Sequence, residues 1–532
     1  MEKVSDTLIF RYNEDQSVTT LDPAFIKSQS EIWIGTQLYN GLVELDSQLN
    51  PVPALALHWD ISPDRLVYKF TLRPNVCFHE AESNPDKPSR FLSAHDVTAS
   101  FMRILNPGTA SPAAWIFGDK VLLGDSFSHI AFASESQKPF FAPNDSTFVL
   151  RLKRPFPALL SLLGTVNCSI IPAEDCALPV SALRKKPRGT GPFYLKLWEE
   201  DVKLILRRNT LYFEKENGQQ LPMLEAVNVD FIRNKQTAFM RFISGEYDFF
   251  NGMEPGFKDE LLSPDGNLRP KYQSRIRMIS RPFLNTEYLG FWLGDSVNNA
   301  PNPLRDVHLR RALNLAIDRP ALIRYLRNGV GVPGLSGFTP PVLFGEAAGF
   351  GYKHNLNLAA QELNRAGYPG GRNLPELTLT TTADYLDLVI FIRKNWEELG
   401  VKCKVEVQPG GMIRQLRNQG KLQIYRGSWI ADYPDPENYL SCFATSNFSP
   451  NGPNYTHYSS TAFDRILQQS YLLSGQHRLK ELQQADSLMM SDAPIAILYY
   501  DKSIRLFHPW VQGLQNDAIN RLILKRVRKT GH

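Results

Sequence analysis

Residues Gln423 to Leu440 read QIYRGSWIADYPDPENYL. The first half is apolar and aromatic and reads as a strand entering a core. It ends on Trp429-Ile430-Ala431-Asp432-Tyr433, followed by Pro434 and Pro436. A carboxylate is thereby placed among groups that exclude water. Burying an ionised Asp without a partner costs roughly several kcal/mol, so Asp432 needs an internal cation, backbone N–H donors or a cationic ligand. A second reading makes Asp432 the organiser of the turn before Pro434. Asp435, between two prolines, reads as a residue that shapes the loop.

The chain of 532 residues is too long for one core and should divide into about three or four domains of roughly 150 residues each. With 43% hydrophobic and 21% charged residues, its composition is that of a soluble globular protein. The formal charge of +5 is small for this length and argues against nucleic acid as a partner. Two short basic clusters, Arg184 to Arg188 and Lys525 to Lys529, read as solvated faces. No apolar run reaches the roughly 18 to 20 residues of a membrane helix; the nearest, Ala158 to Ile171, is broken by Gly164, Thr165 and Asn167. No signal-peptide pattern follows Met1-Glu2-Lys3. The five cysteines contain no C-x-x-C pair, which fits neither a disulfide scaffold nor a zinc site. They read as free thiols, with a Cys168–Cys176 bridge as the alternative.

Outward from the opening stretch, local signals repeat. A strand is expected at Thr7 to Arg11 and a helix from Glu31 to Tyr39, stopped by Asn40-Gly41. Around the Ser62-Pro63-Asp64 turn, Val67, Lys69 and Thr71 alternate with Tyr68, Phe70 and Leu72, a hairpin with one wet face. Ser93 should cap a helix running to Ile104. His95 and Asp96 are neighbours on that helix and point to different faces, so they read as no acid–base pair; Asp96 suits the positive end of the helix. Gly189-Thr190-Gly191-Pro192 reads as a sharp connection between domains, because the Lys-Ser/Thr of a phosphate loop is missing. A strand is expected at Glu225 to Ile232 and a helix at Asn234 to Ile243.

The second half alternates strand and helix. A strand at Glu287 to Leu293 precedes helices at Asp306 to Asp318 and Pro320 to Arg327. The glycines of GVGVPG, at 329, 331 and 334, spell a dinucleotide fingerprint, yet a helix precedes them where a strand is required. Helices at Leu358 to Ala366 and Tyr385 to Leu399 alternate with strands at Leu377 to Thr381 and Lys402 to Val407, an α/β lobe with mixed sheets. There is no G-x-S-x-G, no H-E-x-x-H and no His/Cys cluster. Asp432 and Asp435 as the two carboxylates of a glycoside hydrolase is the catalytic alternative, but their placement in a proline-bearing loop does not direct both into one cleft.

Six ordered segments resemble the large extracytoplasmic solute-binding proteins of the peptide/nickel class (family 5), which serve ABC importers: DPAFIKSQSEIWIGTQLYNGLV from Asp22, LHWDISPDRLVYKFTLRPNVCFHE from Leu57 with SAHDV after it, GTGPF, DVHLRRALNLAIDR, WIADYPDP and DAPIAILYY. Oligopeptide- and dipeptide-binding members are the nearest in pattern. The resemblance implies an α/β, bilobal periplasmic-binding-protein-like fold of type II with mixed sheets and an extra domain in the first lobe. The first lobe would comprise 1–45, 189–283 and 500–532, the extra domain 46–188, and the second lobe 284–499, with hinges near Phe283 to Glu287 and Leu498 to Ser503.

By the same resemblance, Asp432 meets a peptide's α-ammonium in its Trp429 and Tyr433 setting. Gly427, Ser428 and Ile430 on the strand before it pair with the peptide backbone, as does Lys27, Ser28, Gln29 and Ser30 in the first lobe. Arg417 and Arg426 match arginines that meet peptide carboxylates. Gly410-Gly411 stands where the family pattern has a pocket tryptophan, which opens the side-chain preference. The implied protein is a monomer that needs no cofactor or metal, captures a small peptide by lobe closure and delivers it to ABC importer permease subunits. Its implied location is periplasmic or extracytoplasmic, with a lipid anchor on a preceding segment as one form. Nickel chelates, opines, oligosaccharides and haem are the other ligand classes this resemblance admits.

Overall fold

A computed structural model describes residues 8–79, 90–121, 138–252, 255–297, 300–345 and 349–531. The readings placed on Met1-Glu2-Lys3, Thr7 and Glu80 fall outside these residues. The chain divides into two units, Met1–Phe257 with Pro270–Ser280 and Ile504–His532, and Lys258–Arg269 with Arg281–Ser503.

In the first unit, strand β1 (Ile9–Glu14) turns Phe10, Tyr12 and Glu14 inward, as period-two alternation requires. Helix α1 (Gln29–Leu38) lays Trp33 against Tyr12, ring centroids 6.3 Å apart. The expected hairpin forms from β2 (Ala56–Ile61) and β3 (Val67–Leu72), with Tyr68, Phe70 and Leu72 buried and Lys69 exposed. Helix α2 (Ala94–Leu105) and strands β4 (Phe140–Asn144) and β5 (Thr147–Arg151) complete an antiparallel sheet ordered β2-β3-β5-β4. Phe101 of α2 meets Phe140 and Phe148 of that sheet edge-on. Asp96 is buried, accepts the Ser93 and Ala173 N–H groups and pairs with Arg90, while His95 faces Asp145 at 3.5 Å. The two neighbours thus work on different faces.

Strands β6 (Phe193–Glu199), β7 (Lys203–Arg208) and β8 (Ala226–Phe231), helix α3 (Lys235–Ile243) and strand β9 (Phe249–Asn251) finish this unit's main sheet, ordered β9-β1-β8-β7-β6. Gly189 and Gly191 lie against the end of α1, where a Cβ would come 2.0 Å from Leu38 O and 2.4 Å from Leu38 C respectively. The sharp connection read from GTGPF is therefore a close approach that only glycine permits.

Of the two basic clusters, Arg184 to Arg188 keeps Lys185 and Lys186 exposed as expected, whereas Lys525 to Lys529 departs from a solvated face. Lys525 is 5% exposed and its Nζ bridges Glu44 (2.8 Å) and Glu214 (2.6 Å), and Lys529 is sunk onto Asp248 at 2.8 Å. A buried ammonium is tolerable only with anionic partners, and these two fasten the C-terminal segment to the unit. Lys525→Met strands two carboxylates and is expected to cost about 3 kcal/mol of this unit's stability, readable as a lowered midpoint in denaturant unfolding.

Strand β10 (Arg277–Phe291) carries the chain into the second unit. There follow α4 (Val307–Ala316), α5 (Arg319–Leu326), α6 (Leu356–Arg365), β11 (Leu377–Thr381), α7 (Leu386–Glu397), β12 (Cys403–Val407), α8 (Gly410–Asn418), β13 (Ile424–Ile430), α9 (Pro436–Leu440), α10 (Gly475–Asp492) and β14 (Ile495–Phe507), which returns to the first unit. The mixed sheet is ordered β12-β11-β13-β10-β14, with β11 parallel to both neighbours and β13 antiparallel to β10. Leu309 and Leu313 of α4 and Val389, Ile392 and Trp396 of α7 pack on Leu289, Phe291, Leu377, Leu379 and Ile424 of the sheet. Residues 258–269, expected with the first lobe, pack with this unit: Lys258 Nζ donates to Leu326 O at 3.0 Å.

Gly329 and Gly331 have φ of 71° and 121° and follow α5, leading into Val332–Pro333, which pairs with β14. No helix opens after them, as the dinucleotide reading would need. All five cysteines are free, Cys442 deep in the core. Among the described residues, no group of three metal-ligating side chains occurs and no helix is long and apolar enough to cross a membrane.

Candidate functional site

β13 is paired unequally on its two sides. β10 accompanies it throughout, from Phe291↔Ile424 to Asn285↔Ile430, whereas β11 pairs only at Leu379↔Ile424 and Thr380↔Tyr425. Trp292 N donates to Gln423 O and Ala431 N to Leu284 O, so odd-numbered backbone groups of β13 face β10. Those of Arg426, Ser428 and Ile430 then face the side that β11 has left, since alternate residues point opposite ways. Among the described residues no strand pairs with them there. This is an exposed template for an added strand. Gly427 is required on the other count: a Cβ there would lie 2.9 Å from the Tyr288 ring.

Asp432 stands just past the end of this edge. Its backbone N–H donates to Asn438 Oδ1 (3.3 Å), and Asn438 Nδ2 donates to Asp432 Oδ2 (3.4 Å). Asn438 Oδ1 also accepts Trp429 Nε1 at 3.0 Å, so one amide in α9 aligns both. Asp432 is open to solvent, and among the described residues no Lys, Arg or His lies within ion-pair distance of it. The surrounding protein removes hydration from its charged form and pushes its carboxyl up from the ordinary value, with the Asn438 bond opposing.

Asp435 is the opposite case. It caps α9 through Glu437 N and receives Arg478 on both oxygens, at 2.8 and 2.7 Å. Its charge is spent inside the fold, which removes it from the acid–base pair that the glycosidase alternative needs. Tyr433, expected in the ligand setting, is buried with its hydroxyl on Glu437, because the chain turns inward at the prolines.

The two arginines also part company. Arg426 donates from Nη2 to Glu287, and its guanidinium lies 3.2 Å from the Tyr385 ring centroid. Asn285 Nδ2 donates to Glu287 Oε1 (3.0 Å) and to Asp501 Oδ2 (3.5 Å), and Arg327 Nη2 reaches Asp501 Oδ1 at 2.9 Å. Burial pushes the Glu287 carboxyl up against the pull of Arg426. Arg417, on α8, has no carboxylate partner among the described residues and stacks 3.7 Å from the Tyr455 centroid. Two glycines start α8, a helix the sequence reading did not foresee because glycine disfavours helix. A Cβ on Gly411 would meet nothing within 4 Å and one on Gly410 only Thr382 Cγ2 at 3.8 Å, so space stands open there.

In the first unit, Lys27 to Ser30 form the N-terminus of α1 instead of a free edge. Glu31 Oε2 accepts the Lys27 and Ser28 N–H groups, both at 3.1 Å, and Ser28 caps the helix. Ser30 is buried with its hydroxyl on Glu14, 2.6 Å away, and Gln29 Nε2 donates to Asn520 O. The reason is the capping box Ser28-x-x-Glu31, which consumes donors a peptide would need; its signature is legible in the sequence. Lys27 alone presents an exposed side chain here. Glu287, Asn438, Tyr385 and Tyr455 were missed, and no local signal marks them.

The profile described as bacterial extracellular solute-binding proteins, family 5 Middle, matches residues 50–451. Among curated proteins, the periplasmic oligopeptide-binding protein OppA of Salmonella typhimurium is 28% identical, over 97% of this chain and 91% of its own. Among solved structures, HbpA2 from Haemophilus parasuis superposes with a TM-score of 0.81 at 22% identity, over 98% of this chain and all of that one. The periplasmic binding protein DppA from Helicobacter pylori, in complex with peptide STSA, gives a TM-score of 0.74 at 25% identity, over 98% of each chain.

Proposed function

The chain belongs to the bacterial extracellular solute-binding proteins of family 5, and from that membership we propose that it captures short peptides outside the cytoplasm as a monomer and delivers them to the permease of an ABC importer. The observation that carries this reading is Asp432: an accessible carboxylate without a cation among the described residues, at the end of a strand edge with which no described strand pairs. A peptide supplies what is missing at each point. Its amides add a strand along Arg426, Ser428 and Ile430, and its α-ammonium reaches Asp432. The planar fork of Arg417 suits a carboxylate, and the space beside Gly410 and Gly411 receives a side chain. Ile430, 53% exposed, adds apolar contact along the same edge.

The peptide-bound structural relative and the oligopeptide-binding curated relative support the ligand class. Capture without chemistry fits a site in which Asp435 is already neutralised by Arg478. Mass spectrometry of ligand released from the purified protein is expected to find short peptides with free N-termini. A sugar or metal chelate in place of any peptide would overturn the reading.

A further inference from the structure

Arg426, Glu287, Asp501 and Arg327 form one row of alternating charges joined at its centre by the Asn285 amide. Two cations and two carboxylates sum to zero. The row is inward yet not sealed: the Arg426 side chain keeps 11% exposure against 2% for Glu287. The register Asn285↔Ile430, Glu287↔Ser428 and Leu289↔Arg426 puts Arg426, Ser428 and Ile430 on the same face of the sheet as Glu287 and Asn285. Polar capacity is left over: Nε of Arg426, Nε of Arg327 and Oδ1 of Asn285 are buried without partners among the described residues. An uncharged amide or hydroxyl can use such atoms. A carboxylate brought to Arg426 would instead share its cation with Glu287 and lie near Asp501, two like charges in a site of low dielectric.

We propose that Glu287 is a specificity-determining residue: by holding the charge of Arg426, it makes this part of the site discriminate against ligands that place a carboxylate there and favours uncharged polar or apolar side chains. The inference rests on the peptide-binding reading. It separates two arginines that spacing alone makes equivalent. Arg417, stacked on Tyr455 with no acidic partner among the described residues, is a cation available for the ligand's carboxylate.

The test uses tri-alanine and its variants with Glu or Gln at each position in turn, measured by calorimetry on the full chain. For the unsubstituted protein, the Glu peptides that reach Arg426 bind no tighter than their Gln counterparts. In Glu287→Gln, one Glu peptide gains about tenfold over its Gln counterpart, the size of one charge-assisted contact, and adding Arg426→Gln abolishes that gain. Glu287→Asp keeps the charge but withdraws it by one methylene, and gives a smaller gain of the same sign should the Gln variant fail to fold. Neutral peptides bound by every protein with unchanged Glu-to-Gln ratios would overturn the role of Glu287 and leave peptide binding standing. Failure of the unsubstituted protein to bind any of these peptides would overturn both.

Discussion

Asp432→Asn is expected to weaken binding of peptides with a free N-terminus by about 10- to 100-fold, the equivalent of roughly 1.5 to 3 kcal/mol for a charge-assisted hydrogen bond. Peptides acetylated at the N-terminus should bind both proteins alike. The substitution preserves shape and leaves Asn438 a partner, so the change is chiefly one of charge. Calorimetry with a matched pair of free and acetylated peptides checks it, and equal losses for both would return Asp432 to the role of a turn former.

The same substitution has an opposite sign in the ligand-free protein. Because the surrounding protein raises the folded-state pKa of Asp432, and its exposure to solvent keeps that effect small, its carboxylate is slightly less favourable folded than unfolded at neutral pH. The protonated form contributes stability that is complete below the ordinary carboxylate value and lost as pH rises through the raised one. Asp432→Asn should therefore stabilise the ligand-free protein slightly at pH 7, an advantage that vanishes in acid. Ligand reverses the balance: an ammonium favours the carboxylate, so affinity should fall as pH drops through the raised value, and the Asn variant should lack that slope. A residue that costs stability in order to bind is what a ligand site is expected to contain.

The second large effect lies away from the site. Arg319 is 1% exposed, yet among the described residues no carboxylate neutralises it. Its guanidinium donates instead to the carbonyls of Asn314, Ile317, Tyr352 and Ile497 and to Asn314 Oδ1, tying α4, α5 and β14 together. Burial pulls its pKa down to about 10, still far above neutrality. Arg319→Met leaves several buried carbonyls without donors and is expected to cost about 4 kcal/mol or more. Arg319→Lys should recover little, because an ammonium has three donors and cannot reproduce the planar fork. Denaturant unfolding of the second unit reports both, and a lysine variant as stable as the parent would refute the argument.

Much of the local structure was legible in the chain. Leu377–Thr381 was located as a strand to the residue, Ser93 was recognisable as a cap, and Gly189 and Gly191 as a close connection. These are short-range effects: a side chain's period and the donors of one helix end involve residues within a few positions of each other. The helix opened by Gly410 and Gly411 escaped because tertiary surroundings overrode weak propensity. The capping box at Ser28 and Glu31 was legible, but the resemblance makes Lys27 to Ser30 a segment pairing with a peptide backbone.

Taken by itself, the sequence determined the α/β class, most element positions, the family pattern and Asp432 as a carboxylate in need of a partner. Only the tertiary structure decided which charges remain available. Asp435 meets Arg478 across 43 residues, Arg426 meets Glu287 across 139 and Lys525 meets Glu214 across 311. Coulomb attraction depends on distance in space and on hydration, and neither is written in local order. Asp435 and Arg426 are therefore spent within the fold, while Asp432 and Arg417 have no ion-pair partner among the described residues.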